Sequence, residues 1–142
     1  MAEISLRKAR TIIRKTMEKG REMDMKPLSI VVLDAGGNVK AFEREDGAAP
    51  GRFPIAQGKA FGTIMLGIPG SAQLARAEQQ GFFMSCVNGA YGGQVIPVPG
   101  GILVKSRKGE VIGAIGVTGD SSDNDALAGM AGIEAAGLIG ES

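Results

Sequence analysis

Gly109-Glu-Val-Ile-Gly-Ala-Ile-Gly-Val-Thr-Gly-Asp120 is a strand that runs into a turn-forming loop and then into the start of a helix. Val111, Ile112, Ala114, Ile115 and Val117 read as a short buried strand, while Gly113 and Gly116 leave room for another backbone or a ligand to come close. Thr118-Gly119-Asp120-Ser-Ser-Asp123 breaks the run. Ser122 followed three residues later by Asp125 has the form of a capping box, so a helix is expected there, running through Ala126, Leu127, Met130, Ile133, Ala136 and Leu138. The hydroxyl of Thr118 is thereby placed near a helix N-terminus, where free backbone N–H groups attract negative charge.

The segments on either side give the rest of the fold. Ser5 is positioned to cap a helix from about Leu6 to Met23, with Leu6, Ala9, Ile13, Met17 and Gly20 on one face. Its other face carries Arg7, Lys8, Arg10, Arg14, Lys15 and Lys19, which is read as solvated and given no functional role. Pro27–Leu33 and Val39–Arg44 flank the turn residues Asp34-Ala-Gly-Gly-Asn38 and form a β-hairpin. After a loop at Asp46–Gly51, the residues Ile55, Ala56, Lys59, Ala60, Thr63 and Ile64 recur at helical spacing. Ile68-Pro-Gly-Ser71 closes that helix, and Ser71 is expected to cap another, through Leu74 to Gln80. Gly81–Asn88 is ambiguous between helix and strand. Gln94–Val98 and Gly101–Lys105 are expected to be strands, and Lys108-Gly109 turns into the last one. Short connections between neighbouring strands favour an α+β fold: a five-stranded antiparallel sheet with packed helices.

Composition excludes several classes of function. At 142 residues and 44 % hydrophobic content the chain has the size of one domain, expected to span 1–142. A net charge of +1 without long like-charge blocks, and five Phe, one Tyr and no Trp, speak against nucleic acid as partner. Apolar runs are short and interrupted by glycine, and Met1-Ala-Glu-Ile-Ser-Leu-Arg-Lys lacks the apolar core of a secretory signal, so the expectation is a cytoplasmic protein with no membrane partner. The sole cysteine, Cys86, allows no intrachain disulfide and, between Phe83, Met84 and Val87, is expected to be buried and inert. There is no histidine. Cys/His zinc sites and imidazole catalysis are therefore excluded, and no metal site is expected. Asp120, Asp123 and Asp125 lack calcium-loop spacing and are read as capping residues.

Ile30-Val-Val-Leu-Asp-Ala-Gly-Gly37, Arg44-Glu-Asp46-Gly47, Gly58-Lys59-Ala60, Pro99-Gly-Gly101 and the Gly109–Gly119 stretch with Asp125 occur together, in order, over almost the whole chain. In these the sequence resembles the haem-degrading-domain family of GlcG-like and HbpS-like proteins, which includes the C-terminal domain of PduO. The resemblance implies a profilin-like fold, homo-oligomers from dimer to octamer, and binding of a small ligand, with haem- or corrinoid-linked roles among members. One departure matters. A histidine-ligated haem cannot be carried over to this chain, which leaves a Tyr, Met or hydroxyl ligand open if haem is the cofactor.

The candidate site combines these features. Arg44 and Asp46 end a strand and open a loop, and an Arg fork suits a carboxylate or phosphate bidentately; the alternative is an ion pair that shapes the loop. Lys59, among Ile55, Ala56, Ala60 and Phe61, is either a desolvated amine or a snorkelling surface lysine. Gly100 and Gly101 turn into a strand, and Thr118 with the Gly119 N–H stands at a helix start. Tyr91 lies in a glycine-rich loop flexible enough to be a lid. The expectation is an anionic organic ligand, a haem-type tetrapyrrole or a small carboxylate, held by Arg44, Asp46, Lys59, Gly100, Gly101, Thr118 and Gly119. The alternative is an enzyme acting on a small carbonyl compound, with Asp46 as acid or base and Lys59 or Arg44 stabilising an anion.

Overall fold

Side chains alternate along Ser29–Asp34 so that Ile30 and Val32 face one helical layer while Val31 and Leu33 face another. The structure, a computed structural model, describes residues 3–142. Its order is α1 (Leu6–Glu22), β1 (Ser29–Asp34), β2 (Val39–Arg44), α2 (Arg52–Leu66), α3 (Gly70–Gln79), α4 (Gly81–Ala90), β3 (Gly101–Lys105), β4 (Val111–Thr118), α5 (Ser122–Ala135) and β5 (Ile139–Glu141). The strands form one antiparallel sheet in the order β2-β1-β4-β3-β5. The α+β architecture is therefore the expected one.

One face of the sheet is covered by α1 and α5. Ser5 Oγ accepts the Lys8 N–H at 3.1 Å and starts α1, which buries Ala9, Ile12, Ile13, Thr16 and Gly20. Leu6, expected on that buried face, lies exposed at the helix start. The other face is covered by α2 through Ala56 and Ala60, with Phe42, Phe53, Phe61 and Ile64 closing its edges. The small residues of α2 let it lie directly on β4: a Cβ at Gly116 would run into the Ala56 carbonyl oxygen. Close approach, and not a ligand, is what Gly116 provides for.

Several further expectations need correction. Gln94–Val98 is not a strand. Its backbone is held elsewhere: Ile96 N–H donates to the Gly58 carbonyl of α2 at 3.2 Å, and Val95 N–H to Asn88 Oδ1 at 2.9 Å. Gly58 and Gly62 leave the space on α2 that the Ile96 and Val95 side chains fill. The fifth strand comes instead from the C-terminal end, because α5 stops at Ala135 and does not run through Leu138. There Gly137 takes φ +78°, its N–H bonds the Glu134 carbonyl at 2.9 Å, and the Leu138 N–H bonds the Ile133 carbonyl at 3.1 Å. That is a Schellman stop, and it turns Ile139–Glu141 back onto β3.

The remaining corrections concern two caps and Cys86. Ser71 lies inside α3, whose N-cap is Pro69, and Ser121 rather than Ser122 caps α5, its Oγ accepting the Asn124 N–H at 3.2 Å. Gly81–Asn88 resolves as helix within α4, and there Cys86 is exposed, not buried. Its neighbours are apolar, but they stand on a helix that only Met84 anchors to the interior.

Candidate functional site

Three strands end together beside the start of α2. Arg44 of β2 is in register with Ser29 of β1, and Ser29 with Thr118 of β4. Directly opposed residues point to the same face, and the alternation of β1 makes this the face covered by α2. Ser29 and Thr118 are buried, whereas Arg44 is exposed. Arg52, first residue of α2, reaches down and donates from Nη1 to Thr118 Oγ1 at 3.0 Å. Arg44 donates from Nη1 to the Ala48 carbonyl at 2.9 Å, so both guanidiniums frame the loop between β2 and α2.

The charge in this row is uncompensated. Neither Arg44 nor Arg52 forms a salt bridge among the described residues. The N-cap of α2 is Gly51, with no side-chain hydrogen bond, and the first turn holds no acidic residue. A cation at the positive end of a helix is electrostatically unfavourable unless an anion joins it. The Ser29 hydroxyl, in the same row, has no hydrogen-bond partner among the described residues. Thr118 accepts from Arg52 and so keeps its own proton to donate.

Lys59 behaves differently. It is 3 % exposed, and its Nζ donates to the Val117 carbonyl at 2.9 Å and lies 3.2 Å from Asp125 Oδ2. Burial pushes the Lys59 amine below its usual range, against the opposing pull of Asp125, and Arg52 adds to the lowering. Burial likewise raises the Asp125 carboxyl, with Lys59 opposing it. The ammonium points into the molecule, between the layers. Gly100, at φ +109°, makes room for it: a Cβ there would stand 3.0 Å from Lys59 Cδ and Nζ. Gly101 lies against the Thr63 hydroxyl and the Lys59 carbonyl in the same way.

Asp125 Oδ1 accepts the Asp120 N–H at 3.0 Å, which ties the Gly119-Asp120 turn to α5. Gly119, at φ +143°, presses on the Pro27 carbonyl. Asp46 is exposed, and its side chain makes no hydrogen bond or ion pair among the described residues. Of the expected site residues, Lys59, Gly100, Gly101, Thr118 and Gly119 gather at one end of the sheet, and Arg44 joins them through Ser29. Tyr91 packs edge-on against Phe61 with ring centroids 5.9 Å apart. Arg52 and Ser29 did not stand out in the sequence. An arginine opening a helix that has no acidic first turn is the feature that would have marked Arg52.

A family model described as haem degrading protein HbpS-like matches residues 4–134. The chain belongs to the HbpS-like family. Among solved structures, this HbpS-like chain superposes on HbpS with TM-score 0.81 at 25 % identity, covering 94 % of this chain and 90 % of that one. A PduOC:heme complex matches with TM-score 0.85 at 19 % identity over 99 % of both chains. The Klebsiella pneumoniae protein ORFY matches with TM-score 0.83 at 23 % identity, over 96 % of this chain and 92 % of that one. The expected family and fold are thus the observed ones. No curated protein sequence matches the chain.

No helix among the described residues is long and apolar enough to cross a membrane. Among the same residues no three His, Cys, Asp or Glu side chains are grouped to hold a metal ion.

Proposed function

We propose that this protein binds an organic carboxylate, haem-type tetrapyrroles included, by pairing the ligand's carboxylate with Arg52 and Arg44 at the N-terminal end of α2. The observation that carries the reading is the half-buried Arg52 guanidinium, which has one neutral partner, Thr118, and no counter-charge among the described residues. Arginine pairs bidentately with carboxylates, and the uncapped N–H groups of α2 add to the attraction. Lys59, which is engaged with Asp125, supports the turn behind this row and does not contact the ligand.

Haem fits the residues only in part. Its propionates match the two guanidiniums, and the family description, with a PduOC:heme complex among the fold relatives, favours a tetrapyrrole. An imidazole for the iron does not exist in this chain, and cavities of about 210 Å³ between α3 and α4 and about 400 Å³ beside Gly137 do not include the arginine row. No step of haem chemistry is therefore assigned to this protein. An assembly of several copies in the cytoplasm belongs to the same proposal.

Titration of the purified protein with haemin by absorbance, and with succinate by calorimetry, tests the reading. Saturable binding of either ligand, weakened by raised salt, is expected. A protein that binds neither would overturn it.

A further inference from the structure

Ser29 carries a hydroxyl that the folded chain buries and leaves unbonded. The residue is 0 % exposed, and its Oγ has no hydrogen-bond partner among the described residues. Buried hydroxyls ordinarily bond a carbonyl or a neighbouring side chain, because a bond left unmade in the interior lowers stability. Ser29 faces Thr118 across β1 and β4, a directly opposed pair whose Cβ atoms stand about 4.5–5.5 Å apart, yet no bond joins the two hydroxyls. The start of α2 lies over this pair. A Cβ at Gly116 would meet the Ala56 carbonyl; one turn back from Ala56 is Arg52, and two residues on from Gly116 is Thr118. The two steps match, about 6 Å along the helix and about 6.7 Å along the strand, which is why Arg52 meets Thr118.

We propose that Ser29 and Thr118 are ligand-binding residues, their hydroxyls donating to the carboxylate that Arg52 pairs with. The inference rests on the carboxylate reading above and adds to it the two groups that seat the ligand's head against the sheet. Each hydroxyl has a proton that no atom among the described residues accepts, and a carboxylate brings two oxygens with lone pairs to take them. An ionised carboxylate suits the row better than an ammonium or a neutral alcohol, because Arg52 is a cation that can only donate. Arg52 is half-buried over Thr118 and held there by one bond to a neutral oxygen. A bidentate carboxylate is the stronger partner, so the guanidinium turns with the anion and opens the row to it. The unbonded Ser29 hydroxyl is then a weakness of the free protein that the complex repairs. Residues kept for binding at the expense of stability behave in this way.

Titration of the wild type and of Ser29→Ala with succinate by calorimetry and with haemin by absorbance, beside thermal unfolding of both free proteins, tests this. For whichever of the two ligands the wild type binds, Ser29→Ala is expected to bind about tenfold more weakly or worse, the effect of losing one hydrogen bond to a charged group. Its Tm without ligand is expected within about 3 °C of the wild type's or above it, since no bond within the chain is lost. Equal affinity in the two proteins overturns the role of Ser29 and leaves the carboxylate reading standing. A larger fall in Tm, or a variant that does not fold, overturns it as well, because the hydroxyl then serves the free structure. A wild type that binds neither ligand overturns the carboxylate reading, and this inference with it.

Discussion

Lys59 Nζ of α2 stands 3.2 Å from Asp125 Oδ2 of α5, although the two helices lie on opposite faces of the sheet. The pair passes the end of β4, where Lys59 also takes the Val117 carbonyl and Asp125 the Asp120 N–H. It fixes both helical layers to the turn that follows Thr118. Both side chains are almost fully buried, so each charge depends on the other. Lys59→Met is expected to lower stability by about 3–5 kcal/mol by stranding the carboxylate, and Lys59→Met with Asp125→Asn to recover much of that loss. Urea unfolding of the three variants measures it. A double variant that loses the sum of the Lys59→Met and Asp125→Asn losses would show that the pair is not coupled.

Gly116 sets the distance between β4 and α2. A Cβ there meets the Ala56 carbonyl and the Ala60 nitrogen, both backbone atoms that cannot rotate away. Gly116→Ala is expected to cost about 3 kcal/mol or more by lifting α2 from the sheet. Gly109→Ala, where φ is +86° but nothing lies within 4 Å, is expected to cost only backbone strain of roughly 1 kcal/mol. Thermal unfolding of both variants separates close packing from backbone conformation.

The sheet was legible where periodicity and local turns decide structure. The β1–β2 hairpin, β3, β4 and Ser5 as the cap of α1 all follow from alternation and capping chemistry. Gln94–Val98 was not legible, because its β-branched composition suits a strand while its hydrogen bonds go to Gly58 and Asn88, a choice made by the glycines of a distant helix. The exposure of Cys86 was hidden for a related reason: apolar neighbours do not reveal that a helix lacks a partner. In the site, Thr118 and Arg44 were visible as the ends of strands. That Lys59 faces an aspartate 66 residues away, and that half-buried Arg52 bonds a neutral hydroxyl instead, is information only the packing holds.

Asp120 gives the acid limb of stability. Its carboxylate accepts the Lys26 N–H at 3.0 Å and the Asn124 Nδ2 at 2.9 Å, and these bonds, led by the one from Lys26, hold its pKa down at about 2. The folded value lies below the unfolded 3.8, so the stabilisation is present above that pH and is lost as pH falls towards 2. Asp120→Asn is expected to unfold at a lower temperature than the wild type at neutral pH, with the difference shrinking across that acid window. A gap in Tm that stays constant between neutral pH and pH 2 would show that the carboxylate's charge has no part in holding the turn.

Arg52 and Lys59 separate ligand binding from folding. Both are cations on α2, but Arg52 bonds one neutral hydroxyl while Lys59 is locked to a buried carboxylate. Arg52→Ala is expected to weaken carboxylate binding by roughly 1.5–3 kcal/mol, the scale of a charged hydrogen bond, while changing stability by about 1 kcal/mol or less. Arg44→Ala, exposed in the same row, is expected to weaken binding in the same direction by less, because solvent screens it. A Lys59 variant should show the reverse pattern, a large loss of stability with affinity retained in the fraction that folds. Calorimetric titration beside urea unfolding on the same samples reads both quantities. Affinity lost at Lys59 and kept at Arg52 would move the ligand from the start of α2 to the space between the layers.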